Sequence, residues 1–68
     1  MSHRYQILMS NRTGLNRTHT DSDQDLEKIL RDLEKTRATT WYVVTDLRTN
    51  AITQTWTRPG HTIPKWWR

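Results

Sequence analysis

The residues best suited to chemistry in this sequence are arginines that lie among short hydrogen-bonding side chains. The segment 10–20 carries Arg12 and Arg17 among serine, asparagine, threonine and histidine. Arginine combined with these side chains is the mixture that contacts phosphate and sugar groups in nucleic acids. The segment therefore predicts a phosphate-contacting surface. Polar loops of this composition are also common as solvated connections, and that alternative stays open here.

The carboxyl-terminal residues combine positive charge with aromatic rings. Trp66 and Trp67 lie between Lys65 and Arg68, which places a stacking surface beside cations, as in grooves that bind single-stranded nucleic acid. Tryptophans in a small protein also serve as core residues or interface anchors. With the arginines of two predicted turns, the candidate nucleic-acid or partner contacts are Arg12, Arg17, Arg48, Arg58, Lys65, Trp66, Trp67 and Arg68.

Positive charge is unevenly distributed along the chain. Residues 21–36 include six acidic and three basic residues, a net charge of −3, whereas the rest of the chain has one acidic and eight basic residues, a net charge of +7. A polyanion would be repelled by the first segment and attracted to the others. Arginine outnumbers lysine eight to three. This excess favours forked phosphate contacts, or it reflects the coding bias of a GC-rich genome.

Catalytic and metal-binding patterns are weak in this sequence. His61 as acid or base, with Arg58 or Lys65 holding a phosphate, would supply the groups that a small ribonuclease needs, but the same spacing is typical of an exposed turn and tail. The acidic run that begins at Asp21 is like the start of a calcium loop, yet Leu26 stands where that loop needs glycine. The chain has no cysteine, and its three histidines lack zinc-like spacing. We therefore expect no enzyme activity, no metal and no cofactor.

The first half of the chain predicts a strand, a loop and a helix. Alternating side chains predict a strand over 4–10, and polar residues around Gly14 predict a loop over 11–20. Residues 23–35 carry leucine and isoleucine at i, i+3, i+4 and i+7, the stripe of a helix with one buried side. Capping oxygens at 21–23 favour a helix start there.

The second half predicts a β-hairpin and a tail. β-Branched and aromatic residues predict strands over 39–47 and 51–57, joined by a turn in which Asn50 is the residue most able to adopt a left-handed conformation. The predicted fold is a small α+β domain with β-α-β-β order over 1–60, in which one helix packs on one face of a three-stranded sheet. A short basic tail that contains tryptophan follows over 61–68. The position of the first strand beside either hairpin strand stays open.

Apolar residues are expected on both faces of this sheet. Ile7 alternates with Leu8 in the first strand, and Val43 alternates with Val44 in the second. One helix covers one face, so the other face needs the tail, a second copy of the chain or a different partner. Because a core of this size contributes few kcal/mol, a homodimer is a reasonable means of burying more surface.

Length and composition limit the functional classes. The chain has 68 residues, a formal net charge of +4 and no apolar run of membrane-spanning length, so we expect a cytoplasmic protein with no membrane and no small-molecule substrate as partner. The first hypothesis is a non-enzymatic nucleic-acid-binding module. The alternative is an interaction protein that docks on another protein, such as a host factor that it inhibits, and the third is a small ribonuclease. Size and arginine bias suggest an accessory protein of a phage or other mobile element.

Overall fold

The computed structural model describes residues 4–65, in which four strands form one antiparallel sheet and one helix lies against it. The elements are β1 (Tyr5–Asn11), β2 (Gly14–Thr20), α1 (Asp23–Lys35), β3 (Trp41–Asp46) and β4 (Ala51–Thr57). The strands lie in the order β2-β1-β3-β4, and each neighbouring pair is antiparallel. The predicted α+β class is therefore confirmed. The predicted strand number is wrong, because the sheet has four strands rather than three.

The additional strand, β2, takes the place of the loop predicted over 11–20. The chain reverses after Asn11, whose Oδ1 accepts hydrogen bonds from the backbone N–H groups of Thr13 and Gly14 at 2.9 and 3.1 Å. Gly14 has a φ of 139°, a region that favours glycine. β2 lies at the edge of the sheet and buries Thr20 alone of its residues. An edge strand that faces solvent needs no alternation of apolar and polar side chains. Because β2 is polar along most of its length, its composition predicts a loop rather than a strand.

α1 packs on one face of the sheet through the predicted apolar stripe, and its observed bounds are those predicted. Ser22 caps the helix, since its Oγ accepts a hydrogen bond from the backbone N–H of Asp25 at 3.1 Å. The buried core on this side consists of Tyr5, Ile7, Leu26, Leu30, Tyr42 and Val44. No helix within residues 4–65 is long and apolar enough to cross a bilayer.

β3 and β4 form the predicted hairpin. β4 has the predicted bounds, whereas β3 is shorter than the strand predicted over 39–47. Asn50 has a φ of 60° in the turn, as predicted for a residue that tolerates the left-handed region. The register shifts between Val44 and Thr45, which leaves Thr53 as the extra residue of a β-bulge.

The second face of the sheet carries a smaller apolar cluster. Leu8, Trp41 and Val43 are buried there, and Ile63 packs against them. Part of the tail therefore folds back over the sheet, which is one of the three kinds of cover that the sequence predicts. This position of Ile63 ties the chain after β4 to the domain.

Candidate nucleic-acid interface

The candidate interface is the surface of the sheet opposite α1, which we call the open face. Because side chains alternate along a strand, the observed register determines which residues share this surface. They are Gln6, Leu8, Ser10, Leu15, Arg17, His19, Trp41, Val43, Thr45, Ile52, Thr55 and Thr57. The open face thus combines an apolar centre with polar side chains at its two edges.

Among the described residues, the open face carries no carboxylate. Among residues 4–65 the acidic side chains belong to the β2–α1 connection, to α1 and to the end of β3, where Asp46 Oδ1 accepts a hydrogen bond from the backbone N–H of Arg48 at 2.9 Å. The uneven distribution of charge along the sequence therefore corresponds to a difference in charge between the helical layer and the open face of the sheet. The helical layer is acidic, and the sheet surface behind it presents the cation of Arg17.

Arg17 borders a depression on the open face. The depression has a volume of about 320 Å³ and is lined by Gln6, Leu8, Arg17, Val43, Thr45, Leu47, Asn50 and Ile52. Arg17 lies directly opposite Leu8 in the β1–β2 pair, so a guanidinium adjoins an apolar floor and neighbouring amide and hydroxyl groups. Such a surface offers hydrogen-bond donors for phosphate or sugar oxygens. Of these residues the sequence predicts only Arg17 as a contact. Because segment 11–20 was predicted to be a loop, the side chains that share a sheet face with Arg17 could not be identified.

The other predicted basic contacts are spread around the sheet. Arg12 lies in the β1–β2 turn and Arg48 in the β3–β4 turn, at opposite ends of β1 and β3. Lys65 is exposed and follows Ile63, which packs on the open face. The structure therefore places these three cations around the sheet and does not cluster them at one point.

Arg58 is engaged within the domain. Its Nε donates a hydrogen bond to the carbonyl of Thr39 at 2.9 Å, and its Nη2 donates to the carbonyls of Glu34 and Thr36 at 3.0 and 2.9 Å. The guanidinium also lies 5.0 Å from the ring centroid of Trp56, within the range of a cation–π contact. Arg58 thus joins the end of β4 to the carboxyl terminus of α1, where carbonyl groups lack helical partners.

The two described tryptophans are occupied by packing. Trp41 is 4% exposed beneath the tail, and the partly buried Trp56 stacks on Tyr42 with ring centroids 5.4 Å apart. Neither ring offers a free face for base stacking in this arrangement. Three predicted contacts, Trp66, Trp67 and Arg68, lie outside the described residues, so their predicted roles stay predictions.

Groups suited to catalysis or metal binding are dispersed in the described part of the chain. Residues 4–65 contain no cluster of three or more histidine, cysteine, aspartate or glutamate side chains that could hold a metal ion. His61 is exposed in a turn in which its backbone N–H donates to the carbonyl of Arg58 at 3.0 Å. The guanidinium of Arg58, one of the two cations considered for a ribonuclease, is directed to helix carbonyls instead.

Two tyrosines connect the sheet to the helical layer. Tyr5 donates a hydrogen bond to Asp23 Oδ1 at 2.6 Å, and Tyr42 donates to Glu34 Oε2 at 3.0 Å. The hydrogen bond to the Asp23 carboxylate raises the pKa of Tyr5, and burial followed by the hydrogen bond to Glu34 raises the pKa of Tyr42 well above the ordinary tyrosine range. These groups hold the two layers together on the side away from the open face, so we assign them a structural role.

Comparisons of the chain with protein-family models, with curated proteins and with solved structures found no match.

Proposed function

We propose that this protein is a small non-enzymatic nucleic-acid-binding module that contacts phosphate groups through the open face. The observation that carries the proposal is the separation of charge between the layers. Within residues 4–65 the open face holds Arg17 and no carboxylate, whereas six of the seven acidic residues lie in the α1 layer or directly before it. A polyanion approaching the domain is therefore attracted to the sheet surface and repelled from the helix.

The polar side chains beside Arg17 support the same proposal. Gln6, Thr45 and Asn50 line the depression that Arg17 borders. Amide and hydroxyl groups of this kind, together with arginine, make most contacts to phosphate and sugar, and these contacts position a nucleic acid without reading its sequence. We therefore propose binding with little sequence preference. Lys65, which follows the docked Ile63, and Arg12 in the neighbouring turn extend the cationic border.

The proposal is tested with two double variants that remove the same charge from opposite layers. In the first, Arg12→Ala is combined with Arg17→Ala, and in the second, Lys28→Ala is combined with Arg31→Ala on α1. Binding of fluorescently labelled mixed-sequence oligonucleotides, single-stranded and duplex, is measured by anisotropy at ~50 mM salt, where phosphate contacts are strong. We expect the first pair to weaken binding at least about tenfold and the second pair to change it by less than about threefold.

Because both double variants have the same net charge, they separate a localised surface from general attraction. Equal loss of affinity in the two would show that net charge alone drives binding and would overturn the assignment to the open face. Absence of binding by the unaltered protein at ~50 mM salt would overturn the nucleic-acid function itself.

A second candidate function is docking on another protein, such as a host factor. The observation that favours it is apolar exposure at the open face and the adjoining turn, where Leu15, Leu47 and Ile52 are 43%, 38% and 43% exposed. Exposed apolar side chains on a surface with a buried centre are typical of protein interfaces. Binding through apolar contacts depends weakly on salt. This function would be favoured if a captured protein partner stayed bound at ~200 mM salt but was lost from the Ile52→Ser variant.

A further inference from the structure

The outer edge of β4 is uncharged and open to solvent. β4 is the terminal strand of the sheet, and the chain from Thr49 to Thr57 contains no charged residue. Its side chains are exposed except for that of Trp56, which is partly buried. Such an edge presents backbone N–H and C=O groups to any strand that can pair with it.

The direction of the backbone groups along β4 follows from one hydrogen bond. The N–H of Arg58 donates to the carbonyl of Thr40 at 2.9 Å, so the backbone of Arg58 faces the β3 side. Because residues of an antiparallel pair alternate, Trp56 and Gln54 also face β3, and the backbone groups of Thr55 and Thr57 point to the free edge. Thr55 lies past the bulge at Thr53, in the regular part of the strand.

We propose that β4 pairs with β4 of a second copy of this chain, antiparallel about a two-fold axis at Thr55. This inference does not depend on the proposed function. In this register the N–H and C=O groups of Thr55 bond to those of Thr55 in the second copy, while Gln54 lies opposite Trp56. Cross-strand threonine pairs are favourable, and no like charges meet. The two four-stranded sheets become one sheet of eight strands.

The opposite edge of the sheet is unsuited to the same pairing. β2 has Arg17 at its centre, so an antiparallel self-pair about that centre sets two guanidinium groups directly opposite each other. Like charges in that position destabilise a strand pair. A self-pair of β4 about Thr55 is free of this repulsion.

The charge pattern beside β4 favours a second copy over an unrelated strand. A groove of about 490 Å³ runs between α1 and β4 and is lined by Glu27, Leu30, Arg31, Glu34, Lys35 and Gln54. A two-fold axis reverses the direction of the second helix, so the Glu27 end of one groove lies beside the Lys35 end of the other. The lining holds two carboxylates, Glu27 and Glu34, and two cations, Arg31 and Lys35, so the two grooves meet without a net like charge.

The dimer also changes the surface that faces away from the helices. An axis perpendicular to the sheet keeps both copies of α1 on one side and both open faces on the other. The second copy thus extends the open face and presents two copies of Arg17 on one surface. For a chain of 68 residues, this association also buries apolar and backbone groups that the monomer leaves in water.

Light scattering with matched lysine variants tests the proposal. The full-length protein at tens of micromolar is expected to have twice the 8.2 kDa mass of the chain. Thr55→Lys sets two ammonium groups opposite each other and is expected to give the monomer mass. Leu15→Lys adds the same charge to the exposed β2 edge and is expected to leave the dimer intact.

Amide hydrogen exchange of the unaltered protein provides a measurement that does not depend on the folding of a variant. The N–H of Thr55 is expected to exchange slowly at high protein concentration and to lose its protection on dilution, while the N–H of Arg17 on β2 exchanges rapidly throughout. A monomer at tens of micromolar, a dimer that Thr55→Lys leaves intact, or an unprotected Thr55 amide in a dimer would each overturn the proposal.

Discussion

Replacement of Arg58 by alanine is expected to destabilise the domain far more than replacement of any exposed arginine. The guanidinium of Arg58 donates three hydrogen bonds to carbonyls of Glu34, Thr36 and Thr39, all at 2.9–3.0 Å. These carbonyls end α1 and begin the connection to β3. Arg58→Ala removes the donors, leaves the partly buried Thr39 carbonyl without this partner, and takes a cation from the negative end of the helix.

The expected loss follows from the burial of each contact. The partly buried hydrogen bond from a charged donor to Thr39 contributes about 1.5 kcal/mol. The two exposed bonds act mainly as a cation at the helix terminus and contribute about 0.5 kcal/mol together. The contact with the Trp56 ring at 5.0 Å adds about 0.5 kcal/mol. Arg58→Ala is therefore expected to lower the free energy of unfolding by about 2–3 kcal/mol, or Tm by about 10–20 °C for a domain of this size.

Thermal and urea unfolding followed by circular dichroism measure this loss. Arg48→Ala is the matched control. Arg48 lies exposed in the β3–β4 turn, and its side chain makes no hydrogen bond or ion pair within residues 4–65. This substitution should change the free energy of unfolding by less than about 0.5 kcal/mol. Arg58→Lys keeps the charge but cannot reach three carbonyls at once, so we expect an intermediate loss of about 1–1.5 kcal/mol. If Arg58→Ala were as stable as Arg48→Ala, Arg58 would not stabilise the junction between β4 and the end of α1.

Two further predictions concern the tail and the tyrosines. Truncation after Gly60 removes Ile63 from the cluster of Leu8, Trp41 and Val43. Tm should therefore fall, and the newly exposed apolar surface should bind a hydrophobic dye. An unchanged Tm would show that the tail does not stabilise the sheet. Because burial and the hydrogen bond to Glu34 raise the pKa of Tyr42 above the ordinary tyrosine value of 10.0, the folded state keeps a proton that the unfolded chain loses above that pH. The free energy of unfolding should therefore decrease as pH rises beyond 10.0, and tyrosinate absorbance should appear together with unfolding. If Tyr42 ionised at the pKa of free tyrosine while the protein stayed folded, this prediction would be contradicted.

The helix and the terminal hairpin were predictable because local patterns determine them. The apolar stripe and the capping serine indicated α1 over its observed bounds, and Asn50 has the left-handed conformation that its turn requires. β2 was not predictable in the same way. It lies at an edge where only Thr20 is buried, so neither periodicity nor apolar content separates it from a loop.

The candidate site was predictable in its charge and not in its geometry. Arg17 and Arg12 stand out in sequence as cations among small polar residues, and the acidic helix stands out as their opposite. The placement of Arg17 on the sheet surface opposite α1 depends on β2 being a strand. The contacts of Arg58 join residues 19–24 positions apart, and no local pattern indicates such a partner.

The salt dependence of oligonucleotide binding tests the central claim most directly. Single-stranded and duplex oligonucleotides are titrated into the unaltered protein at ~50 and ~200 mM salt, and binding is followed by tryptophan fluorescence. Affinity is expected to fall steeply between the two salt concentrations. Arg17→Ala is expected to make the slope of log affinity against log salt concentration shallower by about 0.7–0.9 for each phosphate contact it removes. Binding that does not change with salt, or no binding at ~50 mM, would contradict the central claim.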